Sequence, residues 1–135
     1  MGDGGADEGG DMMARYKCVN TTHLWHVQKP KTRFARYRLL EQEGEKCFLM
    51  PKGTPYDPGV PHYPICSTSG CLSCAGMQAA YKRLSMYKKH SREYQKRRSE
   101  IDAMLDRLVN MALKYADSGD PTNKCNWALR AARRR

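Results

Sequence analysis

The chain has 135 residues, enough for a single domain. Only 40% of it is apolar, with two Phe and two Trp, so a large core closing over a deep catalytic site is not expected. Against 14 acidic residues stand 24 basic ones, a formal charge of +10; this draws anionic partners over about a Debye length, roughly 8 Å at physiological salt. No apolar run approaches the roughly 18–20 residues that a membrane-spanning helix needs.

Residues 1–13 are rich in Gly, Asp and Glu and predict a disordered acidic tail. Met1–Gly10 has neither the basic and apolar regions of a secretory signal nor the Arg content of a transit peptide. The expectation is an intracellular, reducing compartment, the cytoplasm and its cytoskeleton first and the nucleus next. Asp3, Asp7, Glu8 and Asp11 precede the first basic residue, Arg15, so the rest of the chain carries 24 basic against 10 acidic residues, or +14.

Residues 14–50 form a small aromatic and basic region. Ala35, Tyr37 and Leu39 alternate with Arg36 and Arg38, the two-residue period of a half-exposed strand. Gly44 marks a turn and Cys47–Met50 would be the returning strand of a β-hairpin. Phe34, Tyr37 and Leu40 also fit one face of a helix stopped by Gly44, so both readings stand.

Residues 51–75 hold a proline-periodic strap and a cysteine cluster. Pro55, Pro58, Pro61 and Pro64 recur every third residue, the period of a polyproline II helix, with Tyr56 and Tyr63 beside them. Pro55, Tyr56, Pro58, Pro61, Tyr63 and Pro64 are candidate partner-docking residues. Of the six cysteines, three lie in His62-x3-Cys66-x4-Cys71-x2-Cys74. Thiolates and an imidazole at this spacing suit tetrahedral zinc, with His62, Cys66, Cys71 and Cys74 as ligands; unligated loop thiols are the competing reading. The run from Cys66 to Gly76 also resembles the cluster loop of plant-type 2Fe–2S ferredoxins, through Cys66, Cys71, Ser73, Cys74, Ala75 and Gly76. The resemblance covers only this loop and implies an iron–sulfur electron carrier, whose fourth ligand could come no earlier than Cys125.

Residues 76–117 predict one long amphipathic helix. Met77, Leu84, Ser91, Arg98, Leu105 and Ala112 alternate at spacings of three and four with Ala80, Tyr87, Tyr94, Ile101, Leu108 and Tyr115. Gly119 and Pro121 mark its stop. About 40 residues at 1.5 Å each make a rod of about 60 Å, too long for a compact chain of this size, whose gyration radius is about 14 Å. The fold class expected is therefore mainly α and elongated, with coiled-coil character and weak self-association through 101–115. A helical hairpin bent near Ser91 is the competing structure. Residues 118–135 predict a turn, a short C-terminal helix with Trp127 and Leu129, and an Arg-rich tail.

The helix carries the densest charge. Lys82, Arg83, Lys88, Lys89, Arg92, Lys96, Arg97 and Arg98, with Arg133, Arg134 and Arg135 at the end, are the candidate anion-binding residues. No nucleotide-binding, hydrolase or metalloprotease motif is present, so no enzyme is expected. The leading functional expectation is a non-catalytic subunit docking onto a large anionic assembly, a cytoskeletal lattice or ribosome-like particle. The alternatives are a nucleic-acid binder with a zinc-pinned loop and Tyr81, Tyr87 and Tyr94 for base stacking, and then the small iron–sulfur protein.

Overall fold

The computed structural model describes residues 16–90 and 92–134; the expected tail over 1–13, Ser91 and Arg135 lie outside them. The chain begins with β1 (Val19–Asn20) and α1 (Trp25–Gln28), a single turn. Helix α2 (Arg33–Glu43) follows. Thr32 Oγ1 accepts the Ala35 N–H at 3.0 Å and caps its start. Gly44 stops it at φ 84, giving its N–H to the Leu40 carbonyl. Cap and stop thus enclose the segment that also reads as a strand, and the chain takes the helix, burying Leu39.

The expected hairpin of Ala35–Leu39 with Cys47–Met50 is therefore corrected. Instead β2 (Phe48–Met50) pairs antiparallel with β5 (His62–Pro64), Phe48 opposite Pro64 and Met50 opposite His62. Nested inside, β3 (Gly53–Thr54) pairs with β4 (Asp57–Pro58). The prolines do not form one stripe. Pro61 is fully buried and Pro64 half-buried, while Pro55 and Pro58 face solvent. Gly53, at φ 95 within β3, lies so close to β4 that a Cβ would stand 2.4 Å from the Asp57 carbonyl oxygen, and the chain reverses beyond it, between β3 and β4. A folded double hairpin replaces the extended strap.

β6 (Leu72–Ser73) pairs in parallel with β1 and leads directly into α3 (Cys74–His90). Ser73, fully buried, accepts the Gly76 N–H at 2.9 Å and caps that helix. A short turn of helix, α4 (Glu93–Lys96), and α5 (Arg98–Leu113) follow. Arg97, at φ −121 and ψ 22, breaks the helical path before α5. The single rod is thus contradicted: α3 packs on α5, and α6 (Trp127–Arg133) packs on α5 in turn. The buried members of the two heptad columns face one another within this intrachain hairpin, while Arg98 is exposed. Met77, Leu84, Ile101, Leu108 and Ala112 are each 0% exposed and share one core with Trp127 and Ala128. The Ile101–Tyr115 face is covered by its own chain, so the expected coiled coil is corrected as well.

Three disulfides join Cys18 to Cys71, Cys47 to Cys66 and Cys74 to Cys125. They overturn the expectation of a reducing cytoplasm, because such bridges form and persist in oxidising surroundings such as a secretory lumen or the extracellular space. Their sequence separations of 53, 19 and 51 residues correspond to about 3–4 kcal/mol each in lost unfolded-state entropy. The first encloses the second, so these amounts do not simply add.

Non-reducing peptide mapping of the oxidised protein should recover these three linkages. Replacing Cys74 and Cys125 together by Ser should lower unfolding stability by about 2–5 kcal/mol in urea titration; an unchanged midpoint would show that the bridge does not constrain the chain.

Candidate anion-binding face

The cysteine cluster comes apart into the fold. Cys66, Cys71 and Cys74 each bond a different distant cysteine, and His62 Nε2 lies 2.9 Å from Asp57 Oδ2. Zinc and iron–sulfur clusters are held by thiolates, and in this oxidised form no sulfur is left as a thiol. Among the described residues no group of three or more His, Cys, Asp or Glu is arranged to hold a metal.

The basic residues separate into two kinds. Lys88 reaches Asp102 at 3.4 Å across the α3–α5 hairpin, and Arg98 meets the same carboxylate at 4.0 Å from one turn earlier on α5. Arg97 Nε donates to Glu100 at 2.7 Å, which holds the Glu100 carboxyl below its ordinary range and the guanidinium above its own. These three cations serve the fold. Lys82, Arg83, Lys89, Arg92, Lys96, Arg133 and Arg134 have exposed side chains. Carboxylates elsewhere are also engaged internally: Glu43 pairs with Lys17 and Lys46, Asp57 with His62 and Arg33, and Asp120 with Thr122.

The outer side of α3 carries a cleft on each flank. The first, of about 300 Å³, is lined by Trp25, Lys29, Lys31, Arg36, Tyr63 and Arg83, with Pro30, Pro64, Ala79 and Ala80 as its apolar floor. Among the described residues no carboxylate lines it. Four like charges around one opening repel each other, and an anion seated among them would relieve that repulsion. Arg36 is half-buried: its Nη1 donates to the Pro61 carbonyl at 3.3 Å, while its buried Nε has no acceptor among the described residues.

Local structure explains how this cleft is held open. Trp25 stands on α1, whose end is fixed where Thr68 N–H donates to the Gln28 carbonyl at 2.9 Å. Its ring lies on Gly76, where a Cβ would approach Trp25 Cζ3 to 2.7 Å. Tyr63 sits at φ 57, a left-handed conformation costly for a non-glycine residue by about 1–3 kcal/mol. It is fixed between the β2–β5 pairing, the Ile65 N–H bond to the Cys47 carbonyl and the Cys47–Cys66 bridge. Burial pushes its phenol above the ordinary value, opposed by the nearby Arg83 charge.

The second cleft, of about 200 Å³, lies between α3 and α6 and is lined by Gln78, Tyr81, Lys82, Trp127, Arg130 and Arg134, with Ala131. Tyr81 and Trp127 rings meet at 4.9 Å between centroids. The Trp127 Nε1–H is buried with no acceptor among the described residues. Tyr87 is half-buried, beside Arg97. Tyr81 and Tyr87, expected to stack on bases, are therefore packed into the protein.

Sequence reasoning placed Lys82, Arg83 and Arg134 on this face. It missed Lys29, Lys31 and Arg36, which only folding brings to the flank of α3. The Lys-Pro-Lys run at 29–31 was the one local signal for them. Of the strap residues, Tyr63 and Pro64 line the first cleft, while Tyr56 projects from the β3–β4 turn at 76% exposure.

Two substitutions test this architecture. Gly76→Ala should displace the Trp25 ring and change tryptophan fluorescence while the disulfides still form; an unchanged spectrum would show that the ring is not held there. The Asp57 carboxyl is held below its ordinary 3.8 chiefly by the His62 hydrogen bond. A lowered folded-state value means that its stabilisation is present above the unfolded value and is lost as pH falls through the folded one. Asp57→Asn should remove that part of the acid-dependent loss, read as a flatter urea midpoint against pH below about 4; identical pH profiles would exclude the pair as a latch. No protein-family model, curated protein or solved structure matches the chain, and its function has to be read from this face.

Proposed function

We propose that the protein is a non-catalytic, disulfide-stapled binding module that docks through the outer face of α3 and its two flanking clefts onto a large anionic partner. The supporting observation is the segregation of charge. Around α3, cations line two clefts with no carboxylate in either among the described residues, while Glu43, Asp57, Glu100 and Asp102 are paired within the fold. Such a field speeds encounter with anions and orients them. A cysteine nucleophile is ruled out in the oxidised form, since every cysteine is in a disulfide. The cytoskeletal and cytoplasmic partners expected from sequence are set aside by the oxidising chemistry of the three bridges.

The test is retention on a polyanion as salt is raised. The wild-type affinity should fall linearly in log–log form against salt, as counterions are released from the bound chain. Lys82→Ala/Arg83→Ala/Lys89→Ala should weaken binding by roughly tenfold or more and reduce the salt slope by about one for each cation removed from the interface. Retention of full affinity by that variant, with its three disulfides intact, would remove the basis of the proposal.

A further inference from the structure

The two clefts deepen this reading to a partner class, which presupposes that the face binds anions at all. The first cleft takes Ala79, Ala80 and Arg83 from one flank of α3, and the second takes Gln78, Tyr81 and Lys82 from the other. They are therefore separated by about one helix diameter with side chains, roughly 10–12 Å. Between them runs the exposed ridge of Met86 and Lys89. Each cleft has the same design: three or more cations, an aromatic wall, and one buried N–H donor without an acceptor among the described residues, Arg36 Nε in the first and Trp127 Nε1 in the second. Two discrete positive clefts beside a positive ridge suit a linear chain carrying anionic groups at intervals.

Three features select the kind of chain. The disulfides point to oxidising surroundings, which include the extracellular space where sulfated polysaccharides are exposed. Single-stranded nucleic acid is held by exposed aromatic platforms, yet Tyr81 is packed on Trp127 and Trp25 on Gly76. A sulfate ester accepts hydrogen bonds without donating any, and both clefts offer donors from Lys and Arg. We infer that the partner is a linear sulfated polysaccharide lying over the α3 ridge, with a sulfate group seated in each flanking cleft.

The experiment is calorimetric titration of the full oxidised chain with heparin oligosaccharides of graded length. The comparison ligands are N- and O-desulfated heparin of equal length, single-stranded DNA matched in charge, and phosphatidylcholine vesicles containing phosphatidylserine. Three triple variants separate the sites: Lys29→Ala/Lys31→Ala/Arg83→Ala in the first cleft, Lys82→Ala/Arg130→Ala/Arg134→Ala in the second, and Arg38→Ala/Lys52→Ala/Lys114→Ala outside both. All the residues replaced are exposed, and non-reducing mass with circular dichroism confirms that each variant is folded.

Each cleft variant should lower affinity for long heparin about tenfold or more, and the outside variant, with the same charge change, less than about threefold. Oligosaccharides too short to reach both clefts should bind about a hundredfold more weakly than longer ones, and for these short chains each cleft variant should cost less than it does for long ones. Equal binding of desulfated heparin, tighter binding of DNA or vesicles, or equal losses in all three variants would overturn the sulfated partner while leaving a basic docking face standing. Loss confined to one cleft would overturn the two-cleft arrangement. Failure of every anionic ligand to bind would overturn both the inference and the docking function beneath it.

Discussion

The fold depends on the covalent anchoring of one short segment, Cys66 to Cys74. Each of its three cysteines holds a different part of the chain: Cys66 the base of the β2–β5 hairpin through Cys47, Cys71 the start of the described chain through Cys18, and Cys74 the start of α6 through Cys125. Between these bonds lie the parallel β1–β6 pair and the Ser73 cap that starts α3. A strand pair this short is marginal in water by itself. With Cys18 and Cys71 bonded at one end of it, the strands are already neighbours and the remaining entropy loss on pairing is small. The direction in which α3 leaves this anchor then sets where both clefts open.

The same anchor explains why the C-terminal turn is built as it is. Cys125 must reach Cys74 from the far end of α5, and α5 ends at Leu113, before the expected stop at Gly119. The intervening residues are held by side-chain bonds to backbone. Asn123 Nδ2 donates to the Tyr115 carbonyl, Asn126 Nδ2 to the Asp120 carbonyl, and Asp117 Oδ1 accepts from the Gly119 N–H, all between 2.8 and 2.9 Å. Such short polar side chains substitute for a helix or sheet ladder in turns. They deliver Cys125 to its partner and lay Trp127 on Tyr81, which makes the second cleft's wall.

How much of this was legible in the sequence depends on the range of each interaction. Some local signals were readable: Gly44 stops α2 as the helical alternative required, and the apolar columns of 76–117 mark buried faces in Leu84, Ile101 and Leu108. What the columns could not say is which surface covers them. A heptad seam looks the same whether it faces another copy or its own chain turned back, and the turn at Arg97 carries no Gly or Pro to announce it. The cysteines failed for a related reason. Cys66, Cys71 and Cys74 are close in sequence and so resemble a ligand set, whereas their partners lie 19, 53 and 51 residues away; six cysteines admit about fifteen pairings. Periodicity misled in the prolines too, since a three-residue spacing specifies polyproline II only where the chain stays extended, and here it turns back between β3 and β4, with Gly53 and Gly59 at positive φ. The candidate anion-binding face was half legible: the charge of α3 is local, but Lys29, Lys31 and Arg36 join it only through the folding of α1 and α2.

Binding and stability meet in the chain's modest core. A basic face of this density destabilises a compact state through self-repulsion, and a domain of this size has few apolar groups with which to offset it. Ion pairing relieves only part of the strain, because the acidic residues are fewer and several already stabilise turns, as Asp117 and Asp120 do. The disulfides act on a different term, the entropy of the unfolded chain, and so stabilise the fold without neutralising its surface. That separation permits a small chain to keep the cations of both clefts available to a partner. It also ties the face to the bridges: Cys47–Cys66 helps to hold Tyr63 in its strained conformation, and Cys74–Cys125 joins the start of α3 to the chain just before α6.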